Sequence, residues 1–452
     1  MPPRSWPGPL APALLADATW YGTLAAVRDL GSRDVPVILA GSPRLAPARW
    51  SRYVTAEVSC PSPKDHARFL AWLEDFGARA PGHVLYPTSD DVAWVIARHR
   101  AALAAQYRLY SPAPEALATL LDKGRLTEAA RAAGLDVVET WLPEDEAAVE
   151  RISREAPFPL FVKPRTQLVA SEGFKGSRVD RREDLVHIWN AGRMPAEVEH
   201  ALGPMMAGAT RPLISRCHAG SETVFTVDGF VDRSGEMVAL GCNKLLQHPR
   251  RLGPGIIFEA APVPAALQTG LQRLLGCAGF FGVYDAEFIA EGGRLMLIDV
   301  NPRFYNHMAF EIDRGLPQPW LAYLGAAGEE AALAEAMRTA RQNAPGRRAV
   351  YVHGLPTALM LAAQVVGGNM SRAELRRWRA WIAESDGSRT DPVRTRDDRA
   401  PAWAEIGHQL LNFLRHPRAF LRGLYRDAGR RVVGASQSAD PGHACSRSSG
   451  SP

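Results

Sequence analysis

One pattern in the second half of the chain constrains its fold more than any other. Two segments of alternating apolar and polar residues, 280–288 and 295–304, flank the turn Glu291-Gly292-Gly293. Alternation with a period of two predicts strands, and the glycine pair predicts the tight turn of an antiparallel hairpin. The sequence therefore predicts a sheet that contains this hairpin.

The hairpin carries acidic and amide side chains at matching positions. Alternation places Asp285 and Glu287 on one face of the first strand, and Asp299 and Asn301 on one face of the second. Pairing of the strands would bring together oxygen donors of the kind that a hard divalent cation such as Mg²⁺ prefers. Arg303 follows, where a guanidinium could hold a phosphate. A solvated hairpin with ordinary polar positions is the alternative for this segment taken alone.

The N-terminal part of the chain predicts a parallel sheet covered by helices. Apolar strands are predicted at 14–16, 35–40 and 83–87, with helical patterns at 19–30 and 90–103. This β-α-β alternation is typical of parallel sheets. No Gly-x-Gly-x-x-Gly motif follows the first strand, so the sequence does not predict a dinucleotide site there.

Lysines and small residues mark the segment that precedes the hairpin. A helical pattern at 114–134 contains Lys123, a strand at 157–164 carries Lys163, and the loop 171–177 follows it. The further strands and helices predicted from periodicity are strands at 178–180, 212–217, 222–231 and 236–245 and helices at 266–276, 319–326, 329–341 and 371–384.

The last hundred residues change in character. The apolar stretch 349–366 is expected to complete the core, and the charged, proline-containing stretch 387–402 predicts an exposed linker. Residues 410–425 are basic and amphipathic, and Ser, Gly and Pro dominate from residue 434, which predicts disorder. The basic helices are expected to be solvated, with contact to a membrane surface as the alternative.

Composition excludes several classes of function. The net charge of +5 over 452 residues comes without a basic run interleaved with aromatic residues, so nucleic-acid binding is not expected. Five scattered cysteines without a Cys-x-x-Cys pair argue against a disulfide framework and against a zinc site. No apolar stretch of about 18 residues predicts a spanning helix, and the N-terminus lacks the apolar core of a signal peptide, so a cytoplasmic protein is expected.

The motifs, in their order, resemble the ATP-grasp superfamily over residues 10–330. The likeness is greatest to its carbamoyl-phosphate-synthase-like branch and to the carboxylate–amine ligases related to that branch. The motifs that carry the resemblance are Asp122-Lys123, Phe161-Val162-Lys163-Pro164, the small-residue loop, Glu222, the acidic hairpin, Ile298-Asp299-Val300-Asn301-Pro302-Arg303 and Gly315-Leu316-Pro317.

The resemblance implies an α/β fold class, with α+β organisation in the grasp domain. The implied parts are an N-terminal parallel α/β pre-grasp domain (1–115) and a two-lobed ATP-grasp domain (116–330). Periodicity and composition add a mainly helical C-terminal extension (331–433) and a disordered tail (434–452). A chain of this length exceeds a single hydrophobic core, which agrees with a division into domains.

The resemblance also implies roles for individual residues. Lys123 and Lys163 would contact ATP phosphates, and Glu222 would hold the ribose. The loop residues Ser171, Gly173, Lys175 and Gly176 would cover the triphosphate, and the backbone of Arg216, Cys217 and His218 would contact adenine. Glu287, Asp299 and Asn301 would bind Mg²⁺, with Mn²⁺ as an alternative, and Arg303 would act with Lys163 on the transferred phosphate. Lys244 is expected to face the same cleft, with a surface role as the alternative.

The function implied is that of an ATP-dependent ligase. A small-molecule carboxylate would be converted to an acyl phosphate, and an amine, or a thiol, would displace the phosphate. Two alternatives stay open: a carboxylase resembling biotin carboxylase, and a nucleotide-binding sensor or scaffold without chemistry. The second is motivated by Asp299 where the family usually has Glu, by Arg216 where an acidic residue is common, and by a loop with only two glycines. A homodimer is one alternative for the oligomeric state.

Overall fold

A computed structural model describes residues 9–169, 174–218, 224–248, 254–343, 349–385, 389–418 and 420–421. Within these ranges, every helix is too short or too polar to cross a lipid bilayer. Of the predicted features, Ser171, Gly173, Glu222 and the tail 434–452 lie outside the described residues.

The N-terminal part is a five-stranded parallel sheet, as its sequence predicts. Its strands, in the spatial order β3-β2-β1-β4-β5, are β1 (Ala13–Ala16), β2 (Val37–Ala40), β3 (Val54–Val58), β4 (His83–Leu85) and β5 (Tyr107–Leu109). The helices are α1 (Tyr21–Gly31), α2 (His66–Arg79), α3 (Asp90–Arg98) and α4 (Arg100–Leu103). The central strands β1 and β2 are buried along their whole length, which agrees with their continuous apolar sequences.

A small antiparallel lobe follows. Its strands, in the order β6-β9-β7-β8, are β6 (Thr140–Trp141), β7 (Leu160–Lys163), β8 (Ser177–Val179) and β9 (Leu213–Arg216). The helices are α5 (Pro114–Leu121), α6 (Lys123–Ala132), α7 (Glu146–Glu155), α8 (Leu185–Ala191) and α9 (Ala196–Leu202).

The helical pattern predicted at 114–134 forms two helices, α5 and α6, which are separated at Asp122. The buried Asp122 carboxylate caps α6 by accepting a hydrogen bond from the Gly124 amide at 2.9 Å, and Arg165 donates to both of its oxygens. The break places Lys123 at the first position of α6 and fixes its direction toward the hairpin.

A seven-stranded sheet forms the centre of the molecule. Its strands, in the order β14-β13-β10-β11-β12-β15-β16, are β10 (Val224–Val231), β11 (Met237–Gln247), β12 (Gly255–Ala261), β13 (Gly282–Glu291), β14 (Arg294–Asn301), β15 (Val350–Val352) and β16 (Arg389–Thr390); α10 (Ala265–Cys277) precedes the hairpin.

The predicted hairpin is confirmed as β13–β14. Glu287 lies opposite Asp299, and Asp285 lies opposite Asn301. Gly292 and Gly293 form the turn with φ angles of +57° and +81°, the left-handed values that a tight hairpin turn needs and glycine accepts.

The C-terminal extension is mainly helical and contributes two strands to the large sheet. Its helices, with those just before it, are α11 (Met308–Asp313), α12 (Gln318–Ala327), α13 (Glu330–Asn343), α14 (Gly354–Val366), α15 (Arg372–Glu384) and α16 (Ala400–Arg415). The expectation that residues 349–366 complete the core is confirmed, since Val350, Val352 and Met360 are buried in one cluster with Trp378 and Trp381.

The prediction of an exposed linker at 387–402 is wrong. Asp398, which is 2 % exposed, accepts hydrogen bonds from Arg28 Nε at 2.9 Å, Ser51 Oγ at 2.7 Å and the Arg52 amide at 2.9 Å. The charged residues of this segment therefore anchor the extension to the N-terminal sheet. Their partners lie about 350 residues earlier, so the local sequence could not reveal them.

Candidate active site

The acidic end of the hairpin is a connected set of polar side chains. Asn301 Nδ2 donates to Asp285 Oδ2 at 2.9 Å, and Asn301 Oδ1 accepts from Arg303 Nη2 at 2.9 Å. Glu287 lies opposite Asp299, and Asn301 follows two residues after Asp299 on the same face. The hairpin therefore presents two carboxylates and one amide oxygen side by side. These are the three residues that the sequence predicts as metal ligands, and the structure brings them together.

Three lysines from three different elements converge on these carboxylates. Lys123 Nζ of α6 lies 2.6 Å from Asp299 Oδ1, and Lys244 Nζ of β11 lies 2.7 Å from Glu287 Oε1. Lys163 Nζ of β7 donates to the Ile298 carbonyl at 3.4 Å. The surface alternative for Lys244 is wrong, since its side chain is only 6 % exposed.

Arg303 is held in place by Asp90, the first residue of α3 in the N-terminal part of the chain. Its Nε lies 2.8 Å from Asp90 Oδ1, and its Nη1 donates to the Phe304 carbonyl at 2.9 Å. Although burial disfavours the charge, the Asp90 and Asp285 carboxylates raise the pKa of Arg303. Sequence reasoning missed Asp90, because 213 residues separate it from Arg303 and the only local signal was a helix start after Ser89.

Cationic and acidic side chains are closely interleaved in the cluster. Burial, followed by the charges of Asp228 and Glu287, raises the pKa of Asp285 well above its usual range. Lys123, Lys244 and Arg303 each lie within 2.8 Å of a carboxylate oxygen, and these carboxylates belong to Asp299, Glu287 and Asp90. A concentration of cationic side chains favours the binding of polyanions.

The segment predicted as a hinge lies at the other end of the hairpin. The amides of Arg216 and Cys217 donate to the Glu139 and Pro159 carbonyls at 2.9 and 3.1 Å. The His218 ring bonds to the Glu291 carboxylate next to the hairpin turn. Glu291 is four residues along β13 from Glu287, so the hinge and the carboxylates are separated by about 13 Å.

Of the four loop residues predicted to cover the triphosphate, the structure describes Lys175 and Gly176. Lys175 is exposed, and Gly176 has a φ of +127°. A β-carbon at Gly176 would lie 2.7 Å from the Phe161 ring, so a larger residue would disturb the start of β8.

A cavity of about 440 Å³ lies between β12, α14 and α16. The stem of Lys244 lies against Gly255, next to the cavity-lining Ile256. The described residues that line it are Tyr21, His248, Pro254, Ile256, His353, Pro356, Leu359, Gln409, Asn412, His416 and Phe420. The Glu405 carboxylate behind this lining is bonded to Tyr21 and His353.

Comparison with solved structures finds similar architectures. A biotin carboxylase–β,γ-ATP complex from Campylobacter jejuni has a TM-score of 0.55 at 17 % identity, covering 70 % of this chain and 71 % of that one. The biotin carboxylase domain dimer of Hydrogenobacter thermophilus 2-oxoglutarate carboxylase, with MgADP, ADP and bicarbonate, has a TM-score of 0.55 at 16 % identity, covering 71 % and 70 %. An L-amino acid ligase from Bacillus licheniformis has a TM-score of 0.51 at 14 % identity, covering 71 % and 75 %.

Comparison by sequence gives a different result. No protein-family model matches the chain, and no curated protein matches it. At sequence identities of 14 % to 17 %, the property that this chain shares with the solved structures is the fold.

Proposed function

Because the chain has the ATP-grasp fold, we propose that it is an ATP-dependent ligase that joins a small-molecule carboxylate to an amine. A carboxylate oxygen attacks the γ-phosphorus of ATP, which releases ADP and forms an acyl phosphate. The amine nitrogen then attacks the acyl carbon, the C–O bond to phosphate breaks, and a proton leaves the nitrogen. One observation carries the proposal: four cationic side chains converge on the acidic end of one hairpin. Lys123 and Lys244 pair with its carboxylates, whereas Lys163 and Arg303 bond to the Ile298 carbonyl and the Asn301 amide oxygen.

The hairpin donors fit Mg²⁺. Glu287, Asp299 and Asn301 offer hard oxygen ligands from adjacent strands, the type of ligand that Mg²⁺ takes together with phosphate oxygens. Bound there, the ion would neutralise charge on the β- and γ-phosphates. With nucleotide bound, Lys123 and Lys244, which pair with Asp299 and Glu287, would bind phosphate oxygens instead.

The distance between the two ends of the hairpin suits an extended nucleotide. The hinge beside His218 and the carboxylate end of the hairpin are about 13 Å apart, enough for adenine at one end and the triphosphate at the other. Lys163 and Arg303 then act at the transferred phosphoryl group, where positioning and charge neutralisation account for most of catalysis. Asp90 orients the Arg303 guanidinium from behind.

The cavity between β12, α14 and α16 is our candidate for the body of the second substrate. Its described lining joins an apolar wall to imidazoles and amides, a combination typical of small-molecule sites. Replacing Leu359 with Trp would fill it, so we expect the KM for the carboxylate or amine substrate to rise at least about tenfold while the KM for ATP stays unchanged. The matched control is Val366→Trp, on the same helix but 77 % exposed. Equal substrate KM values in both variants would remove the cavity from the proposal.

The test of the function itself is substrate-dependent ADP formation. Pools of amino acids, other carboxylates and amines are added to the protein with ATP and Mg²⁺, and hydroxylamine is used to trap an acyl phosphate as a hydroxamate. We expect ADP formation that requires a carboxylate, and amide formation that requires an amine as well. ADP formation that needs only bicarbonate and biotin would instead assign a carboxylase, and tight ATP binding without ADP in any pool would assign a non-catalytic module.

The pKa of Lys163 gives ATP binding a predictable pH dependence. Burial, and then the neighbouring Lys123 ammonium, lower this pKa from 10.5 to about 8. Above pH 8 the free protein loses the charge, so the Kd for ATP measured by calorimetry should increase between about pH 7 and pH 9. Lys163→Arg keeps its charge over this range and should give a nearly constant Kd.

The same shift acts on stability with the opposite sign. Because the folded state releases the Lys163 proton before the unfolded state does, the contribution of this group to the free energy of unfolding rises from pH 8 to pH 10.5.

Equal pH profiles of the Kd for ATP in the wild type and Lys163→Arg would show that Lys163 does not hold phosphate.

A further inference from the structure

A second polar cluster lies behind the hairpin, inside the large sheet. It consists of Asp228 on β10, Cys242 on β11, His307 at the start of α11 and Glu311 on α11, and none of the four is more than 4 % exposed. Among the described residues, it is the one group of three or more His, Cys, Asp or Glu side chains whose ligand atoms come together in this way. The proposed function does not use it.

The geometry of the four side chains is that of a nearly assembled coordination sphere. One ligand atom from each residue lies within 4.8 Å of all the others. Asp228 Oδ2 is 3.1 Å from His307 Nε2 and 3.6 Å from Cys242 Sγ. Zinc bonds of about 2.0–2.3 Å place tetrahedral ligand atoms roughly 3.3–3.7 Å apart, so the oxygen–sulfur separation already matches and the oxygen–nitrogen separation is slightly short.

The positions of the four residues on α11 and on the sheet explain why their side chains converge. His307 and Glu311 are four residues apart and extend from the same side of α11. Cys242 pairs across the sheet with Thr226, two residues before Asp228, so Cys242 and Asp228 share one face of the sheet. Asp228 and His307 are 79 residues apart, which is why no cysteine or histidine spacing in the sequence indicated a site.

One carboxylate oxygen of the cluster has no hydrogen-bond donor. Among the described residues, no donor reaches Glu311 Oε1, although this atom is fully buried. The Asp228 carboxylate, by contrast, shares a hydrogen bond with the Asp285 carboxyl on the neighbouring strand. The Arg314 guanidinium lies 3.7 Å from Glu311 Oε1, which is longer than a hydrogen bond. Buried carboxylate oxygens without a partner are costly, and a bound cation is one of the few ways to satisfy them.

We propose that Asp228, Cys242, His307 and Glu311 bind a divalent d-block metal ion, best fitted by Zn²⁺, as a structural site that fixes α11 to the sheet. The nitrogen and sulfur donors select such an ion over Mg²⁺. Side chains around the cluster already orient the ligands: Thr226 Oγ1 donates to Asp228 Oδ2 at 3.0 Å, and the Tyr305 hydroxyl donates to Glu311 Oε2 at 3.3 Å. The site is closed to solvent, so the ion enters during folding.

The first experiment measures metal content. Full-length protein without a polyhistidine tag is produced in zinc-supplemented medium, gel-filtered and analysed by plasma mass spectrometry. We expect about one zinc ion per chain, the stoichiometry of a closed structural site. A wild-type protein with less than about a tenth of an ion per chain would overturn the proposal and leave Glu311 as a buried neutral acid.

Variants and cobalt substitution test the ligand assignment. The double variant Cys242→Ser, His307→Gln should lose at least about 90 % of the metal, whereas Cys277→Ser, which removes an exposed thiol, and Asp299→Ala, at the proposed magnesium site, should retain it. If the double variant does not fold, as judged by circular dichroism, wild-type protein grown with Co²⁺ decides. A thiolate-to-cobalt charge-transfer band retained in Cys277→Ser supports ligation by Cys242, and its absence from the wild type contradicts it.

Discussion

Replacing Asp299 with alanine should abolish ATP turnover without unfolding the protein, and Asn301→Ala should do the same. Asp299 faces Glu287 across the hairpin and pairs with Lys123, so its loss removes a proposed magnesium ligand and leaves that lysine without its partner. Loss of one charge-stabilising group at a reacting phosphoryl centre costs at least about 100-fold to 1000-fold in rate. The measurement is ADP formation at saturating ATP and Mg²⁺, with circular dichroism to verify the fold.

The hairpin offers a matched control for these two variants. Asp136→Ala removes a carboxylate that is 41 % exposed and pairs with Arg294 at the turn end of the same hairpin. It should turn over ATP at the wild-type rate. Full activity of Asp299→Ala or Asn301→Ala would contradict the metal assignment.

Replacing Asp398 with alanine should destabilise the protein by roughly 3–5 kcal/mol, the usual cost of removing one partner of a buried ion pair. The substitution leaves the Arg28 guanidinium, the Ser51 hydroxyl and the Arg52 amide without their common acceptor. The free energy of unfolding is measured by urea denaturation, followed by circular dichroism.

The neighbouring residue is the control for this effect. Asp397 is exposed and accepts a hydrogen bond from the Tyr53 hydroxyl at 2.8 Å, so Asp397→Ala should cost less than about 1 kcal/mol. Equal effects of the two substitutions would show that Asp398 does not anchor the extension.

The parts of the structure that the sequence predicted are those set by local periodicity. Alternation and a glycine pair predicted the β13–β14 hairpin and the pairing of Glu287 with Asp299, because strand register follows from the turn. The convergence of Lys123 and Lys163 on the hairpin followed from the order of the motifs and the resemblance, not from spacing.

What the sequence did not predict depends on contacts between distant segments. Asp90 holds Arg303 across 213 residues, and Asp398 bonds Arg28 across 370. Residues 387–402 were predicted to be a linker because charge and proline are the local signals of exposure. The burial of Asp398 in this segment is instead decided by partners elsewhere in the chain. The helix break at Asp122 has the same origin, since Arg165 supplies the guanidinium that holds the capping carboxylate.

The two C-terminal strands determine how far the protein can be shortened. β15 pairs with β12 through Val350, Tyr351 and Val352 and covers the backbone of an apolar strand that contains Ile257 and Phe258. A chain that stopped at residue 343 would leave β12 as an unpaired edge strand, to which a second molecule could add its own strand. Truncation from this end is therefore expected to yield aggregates rather than a shorter folded protein.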